Sequence, residues 1–163
     1  MALASLLFGS SPALSADALV GRASVVDGDT IDIQDARVRF HGIDAPESYQ
    51  RCKLAANRSY RCGKEAADKL DEFLAASRPT RCILLEKERG RDRWIGTCYR
   101  ADGSSVSDWL VREGYALDWP KYSGGEYLPL QKQAESARRG IWKGRFEDPC
   151  VVRAKRFKRT PNC

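Results

Sequence analysis

Residues 38–47 read Val-Arg-Phe-His-Gly-Ile-Asp-Ala-Pro-Glu, or VRFHGIDAPE. Residues 37–42 carry the pattern of a strand. Gly42 breaks the run, and Pro46 takes the chain out of any sheet, because proline has no N–H to give to a ladder. Arg39, His41, Asp44 and Glu47 fall within these ten residues. A strand built only to fill a core does not need so much charge, so this stretch predicts both a sheet and a polar site at its end.

On the N-terminal side, residues 19–26 and 30–33 alternate as strands do. Gln34-Asp35-Ala36 is a turn between the second strand and the third. On the C-terminal side, residues 63–76 read as a helix. Ala66, Leu70, Phe73 and Leu74 share one face, and Pro79 forbids continuation. Residues 81–86 and 93–99 are two further strands around a basic turn at 87–92, and 115–119 is a last one. Ser107 is expected to cap a short helix with Val106, Leu110 and Val111 inward and Gly114 as its stop. A polar helix at 130–139 ends at Gly140. The expectation is an α+β chain: a closed, five-stranded β-barrel of OB type with about three packed helices.

The chain of 163 residues is long enough for one compact domain. Lys and Arg number 28 against 22 acids, a formal charge of +6. Residues 149–163 hold Arg153, Lys155, Arg156, Lys158 and Arg159 and no acid, which leaves the rest of the chain near +1. Residues 146–163 therefore read as a basic tail, either a patch for polyanions or a solvated end. Residues 1–18 resemble a secretory signal or its remnant, with Ala16-Asp17-Ala18 as a cleavage site. No other segment is long enough to cross a bilayer. Six cysteines favour an oxidising compartment, and with a single histidine and no C-x-x-C pair their spacing does not suit zinc. Six cysteines allow fifteen connectivities. Neighbour pairing is expected: Cys52 with Cys62, Cys82 with Cys98, and Cys150 with Cys163.

Two acidic pieces carry the chemistry. Asp27-Gly28-Asp29 is by itself a hairpin turn, and Asp44-Ala45-Pro46-Glu47 by itself a charged loop. If the first three strands form a meander, Asp29 and Asp44 face each other as hard oxygen donors. Such donors suit Ca²⁺, Mg²⁺ or Mn²⁺. Two carboxylates are too few to enclose the ion, so water, a main-chain carbonyl and substrate would complete its shell. Arg39 and Arg93 offer guanidinium forks for phosphate oxygens. Glu47 is then free to activate water.

DGDT, RFHGIDAPE, YRCGKEA, VSDWLVREGYA and GIW, in this order and spacing between about residues 20 and 142, resemble the staphylococcal nuclease (thermonuclease) family. The cysteine-bearing pieces are similar to its secreted bacterial branch. The resemblance implies an OB-fold enzyme at 19–145 that uses Ca²⁺ to hydrolyse DNA and RNA, leaving 3′-phosphate ends. It implies Asp29, Asp44 and the main-chain carbonyl of Ala45 as calcium ligands and Glu47 as general base. Arg39 and Arg93 correspond to the phosphate-contacting arginines, and Asp27 to a nearby acid. Ala45 stands where the best-known member has threonine. The text around Arg89-Gly-Arg-Asp-Arg93 departs from the family's usual D-R-Y-G-R, so Arg91 stays open as the alternative to Arg93.

Tyr122 remains as a surface on which a base can stack. His41, inside a strand, reads as structural. Trp109, Trp119 and Trp142 read as packing residues. The expected protein is a secreted or periplasmic monomer that does not insert in membranes once its signal is removed. Two rivals stand beside this reading. One is a non-catalytic OB module that binds nucleic acid, whose affinity falls with salt and needs no metal. The other is a disulfide-rich adhesion or inhibitor domain, which explains the cysteines but not the acids and arginines.

Overall fold

The computed structural model of the chain describes residues 18–54 and 58–163. The signal-like segment lies, up to residue 17, outside them. Four strands come first: β1 (Ala18–Gly21), β2 (Ser24–Asp27), β3 (Thr30–Ile33) and β4 (Ala36–Phe40). Then come the short β5 (Ile43–Asp44), β6 (Cys52–Leu54) and β7 (Ser59–Tyr60), followed by helix α1 (Cys62–Ala75). Strands β8 (Thr80–Lys87) and β9 (Trp94–Tyr99) precede α2 (Val106–Arg112), β10 (Leu117–Asp118), α3 (Pro120–Ser123) and α4 (Leu128–Ser136). A 3₁₀ turn (Gly140–Lys143), β11 (Gly144–Arg145) and α5 (Pro149–Arg156) end the chain.

The main sheet runs β1-β8-β9-β4-β3-β2. Its two edges, β1 and β2, are consecutive in the chain and separated only by Arg22 and Ala23. One strand that serves both edges forces the sheet to curl, so the sheet forms an OB-type half-barrel. The single strand expected at 19–26 is thus present as two segments. β2, β3 and β4 form an antiparallel meander, while β4 and β9 run parallel with Arg39 opposite Ile95. Gln34 and Asp35 both have positive φ, 47° and 61°, the geometry of a tight hairpin turn that follows the sheet twist.

The barrel fills from alternate positions. Ile31, Ile33, Val38 and Phe40 are buried, and the α1 face of Ala66, Leu70, Phe73 and Leu74 closes over them. Trp109 stacks on Phe73 with ring centroids 4.0 Å apart. Trp142 packs edge-on to Phe146 in a second, smaller core with Cys52, Cys62, Leu117 and Ile141. All three disulfides pair as neighbours: Cys52–Cys62, Cys82–Cys98 and Cys150–Cys163. Cys82 and Cys98 sit directly opposite each other in the β8–β9 register. No helix among the described residues is long and apolar enough to cross a membrane.

Several expectations are corrected. The cap of α2 is Ser105, whose hydroxyl accepts from the Asp108 N–H at 3.2 Å, and Ser107 is buried inside the helix. Val106 must face the core, which fixes the cap one residue before it. Five α-helices are present among the described residues rather than about three. The added ones are the four-residue α3 and α5. Residues 146–163, expected as a basic tail closed by Cys150–Cys163, also contain a helix that was not expected, α5. Asp148 precedes Pro149 at the first helical position, a recognised helix start. Cys150 and Ala154, one turn apart, face inward.

Candidate functional site

Two acids are brought together by the meander. Gly28 allows the β2–β3 turn to lie against the loop after β5, since a Cβ at Gly28 would come within 2.8 Å of the Ala45 Cβ. Asp29, in that turn, is 3% exposed. Its Oδ1 accepts from the Thr30 hydroxyl at 2.9 Å and from Arg39 Nη1 at 2.9 Å. Its Oδ2 accepts from the Ala45 N–H at 3.1 Å. Asp44 is 4% exposed and delivered by β5, which is pinned by its pairing with β10. Arg39 projects from β4 between them. Its Nη2 lies 2.9 Å from Asp29 Oδ2 and 2.8 Å from Asp44 Oδ1. Two buried carboxylates thus converge on one cationic nitrogen.

Glu47 follows Pro46 in the loop. Its N–H donates to Gln50 Oε1 at 3.1 Å, and its carbonyl accepts from the Gln50 N–H at 2.7 Å. The buried Gln50 in turn donates through Nε2 to the Glu147 carbonyl at 2.7 Å. Helix α1 closes on this loop through Gly63, where any Cβ would overlap the Glu47 carbonyl. Sequence reasoning did not single out Gln50, and no local pattern distinguishes it from a surface glutamine.

A cavity of about 470 Å³ opens at this end of the barrel. Asp27, Asp29, Arg39, Ala45 and Glu47 line it, as do Arg93 and Tyr122 from other elements. Arg93 enters just before β9, which lies parallel to β4, and its Nη2 donates to Glu88 Oε1 at 3.1 Å. It faces the cavity without touching Asp29, Asp44 or Glu47. Arg91 also borders the cavity, but its side chain is 55% exposed against 14% for Arg93. Tyr122 is half exposed and meets Trp119 edge-on at 4.6 Å. His41, expected inside a strand, lies in the turn just after β4 and borders the cavity, its N–H donating to the Gly96 carbonyl at 2.9 Å.

Trp119 is not simply a packing residue. The guanidinium carbons of Arg39 and Arg153 lie 5.6 and 5.3 Å from its ring centroid. Arg153, placed by the sequence in a tail, is a member of the site. Its Nη1 and Nη2 reach Asp44 Oδ1 and Oδ2 at 3.0 and 3.1 Å, and Nη1 also donates to Glu47. The helix-start signature at Asp148-Pro149 was the available signal for an ordered segment there.

The electrostatics follow from burial. Burial, and then the charge of Asp29, push the Asp27 carboxyl up to about 6. Burial also holds Asp44 above the usual carboxylate range, against the opposing pull of Arg153 and Arg39. Burial disfavours the charge on Arg39, yet Asp29 and Asp44 outweigh it and raise its pKa. The same balance, with Asp44 and Glu47 as the anions, raises that of Arg153.

The donor set fits a hard divalent cation. Asp29 and Asp44 present oxygens to a common point that a positive nitrogen already occupies. Among the described residues no cluster of three or more acids, histidines or cysteines is placed to bind a metal unaided. Main-chain, water and substrate oxygens would therefore have to complete the shell.

The family model described as staphylococcal nuclease homologue matches residues 37–144. A succinoglycan biosynthesis protein, ExoI, of Rhizobium meliloti (strain 1021) is 45% identical over 149 residues, 91% of this chain and 78% of that protein. An uncharacterized endonuclease of Escherichia coli O157:H7 is 32% identical over 142 residues, 84% of this chain and 85% of that protein. Endonuclease YhcR of Bacillus subtilis (strain 168) is 33% identical over 131 residues, 72% of this chain and 11% of that protein.

Proposed function

The chain belongs to the staphylococcal nuclease family, and we propose that it is a calcium-dependent phosphodiesterase that hydrolyses DNA and RNA. The observation that carries this reading is the convergence of Asp29 and Asp44 on one Arg39 nitrogen, with Glu47 lining the same cavity. The endonuclease names of two relatives support the reaction class.

Asp29, Asp44 and the Ala45 carbonyl would hold Ca²⁺, which, when bound, polarises the scissile phosphate and neutralises part of its charge. Glu47 takes a proton from the attacking water. The resulting hydroxide oxygen bonds to phosphorus in line with the departing 5′-oxygen. The P–O5′ bond breaks, and the 5′-oxygen leaves as a hydroxyl after taking a proton from solvent. The product keeps a 3′-phosphate. Arg39 and Arg93 donate to the equatorial oxygens, where negative charge accumulates. Tyr122 offers its open face to a base, a contact that suits a nuclease of low sequence preference.

Residues 19–145 form the nuclease unit in this reading, with 146–163 an added element. Three disulfides support a secreted or periplasmic setting. A binding module without activity has no use for three acids beside its phosphate site, since each repels the ligand. A nuclease assay on single- and double-stranded DNA and on RNA, with Ca²⁺, Mg²⁺ and Mn²⁺ supplied in turn, tests the proposal. Cleavage with Ca²⁺ is expected. Metal-independent binding with no cleavage under any condition would support the rival module.

A further inference from the structure

We propose that Arg153 is a tethered counter-ion that must leave Asp44 and Glu47 before a divalent cation can bind, so that the C-terminal helix sets the cation requirement of the site. The inference rests on the reading of Asp44 as a cation ligand. It adds a residue that lies beyond the family match at 37–144 and 109 positions from the acid it covers.

Both oxygens of Asp44 accept from Arg153, in a fork with N···O distances of 3.0 and 3.1 Å. The same guanidinium holds Glu47. An oxygen lone pair directed at a guanidinium cannot also ligate a metal, and two cations on one carboxylate repel. Asp29 differs, because its oxygens meet Arg39, Thr30 and Ala45 but not Arg153. Arg39 therefore meets an incoming cation at both acids, whereas Arg153 adds a competition that falls on Asp44 and on the proposed base alone.

The placement of Arg153 is built rather than incidental. Cys150, three residues earlier, is bonded to Cys163. The Cys163 carbonyl accepts from Trp119 Nε1 at 3.0 Å, so both ends of the C-terminal loop are fixed beside the cavity. Gln50 ties the Glu47 loop to Glu147, just before α5. The helix stays in place while the Arg153 side chain, 23% exposed and flexible, can swing away along the Trp119 face. A guanidinium so held keeps the buried Asp44 and the half-buried Glu47 from facing each other unpaired, at the expense of cation affinity.

The test is calorimetric titration of Ca²⁺ into the full chain and its Arg153→Gln and Arg153→Lys variants, with Asp44→Asn as reference. Arg153→Gln should bind Ca²⁺ about tenfold more tightly, the scale of one partly exposed ion pair. Arg153→Lys should fall between, since one ammonium cannot span Asp44 and Glu47 together. In chelator, Arg153→Gln should melt below the parent, and Ca²⁺ should raise its melting temperature by more. A merely structural arginine would lower the melting temperature without tightening the cation. If the glutamine variant does not fold, the lysine variant decides alone, with tighter binding supporting the proposal. Unchanged or weaker Ca²⁺ binding in the variants overturns this inference and leaves the calcium reading standing. Absence of binding in every protein, parent included, overturns both.

Discussion

A Cβ built on Gly63 would lie 1.8 Å from the carbonyl oxygen of Glu47. The first turn of α1 therefore presses directly on the loop that carries the proposed base, and the glycine is there for close approach rather than for a turn. Gly63→Ala must push the loop away. Stability should fall by about 1–3 kcal/mol, the usual cost of overpacking. Turnover should drop by ~100-fold through misplacement of Glu47. Urea unfolding and steady-state kinetics read the two effects separately; full activity in a folded Gly63→Ala protein would show that the loop position is irrelevant.

Asp27 predicts a pH effect on stability. Burial and Asp29 raise its pKa from 3.8 to about 6 in the folded chain. The folded state thus keeps a proton that the unfolded state releases, and stability falls as pH rises from about 4 to about 6 and is flat above. Asp27→Asn keeps the oxygen that accepts the Asp29 N–H at 3.1 Å. In chelator at pH 7 the variant should be the more stable by roughly 1–2 kcal/mol, allowing for partial exposure. The advantage should vanish below about pH 4. Thermal melts across this range check it, and an advantage independent of pH would contradict the cause given.

Most of the fold and part of the site could be read from the chain alone. Asp29, Arg39, Asp44 and Glu47 lie within nineteen consecutive residues, on a meander whose turns are marked by Gly28 and by Gln34-Asp35. Local order is enough to bring them together. The apolar period of α1 likewise reports its buried face. Arg153 was beyond reach for a physical reason. A short helix with three cations in eight residues has the pattern of a solvated element, and the contact that puts Arg153 in the site is with a carboxylate 109 positions away. Gln50 acts through a long-range bond to Glu147, and Trp119 through contacts with Arg39, Arg153 and Cys163, none of which leaves a periodicity behind. The extra α3 is a single turn, too short to announce itself.

The Cys82–Cys98 bond joins facing residues of β8 and β9 and is 0% and 2% exposed at its two ends. A reductant should not reach it without unfolding. Replacing both cysteines by alanine should cost about 2–4 kcal/mol, the range for loops of this size. Denaturant unfolding of the variant measures this, and reduction of the Cys82–Cys98 bond in the folded parent would contradict the burial.

Arg39 bridges two buried acids, so its removal should be more harmful than that of a surface arginine. Arg39→Ala leaves Asp29 and Asp44 opposed and should destabilise the fold by about 3–5 kcal/mol in chelator. Added Ca²⁺ should restore part of the loss, because a divalent ion replaces the missing charge. Melting curves with and without Ca²⁺ decide this, and a variant as stable as the parent would mean that the acids do not depend on Arg39.

The most direct test is turnover of Glu47→Gln with Ca²⁺ present, beside a substrate-binding measurement on the same protein. The exchange keeps size and hydrogen bonding but cannot take a proton from water. The account predicts a loss of ~10²–10⁴-fold in kcat with the fold and nucleic-acid binding retained. Turnover close to that of the parent would contradict it.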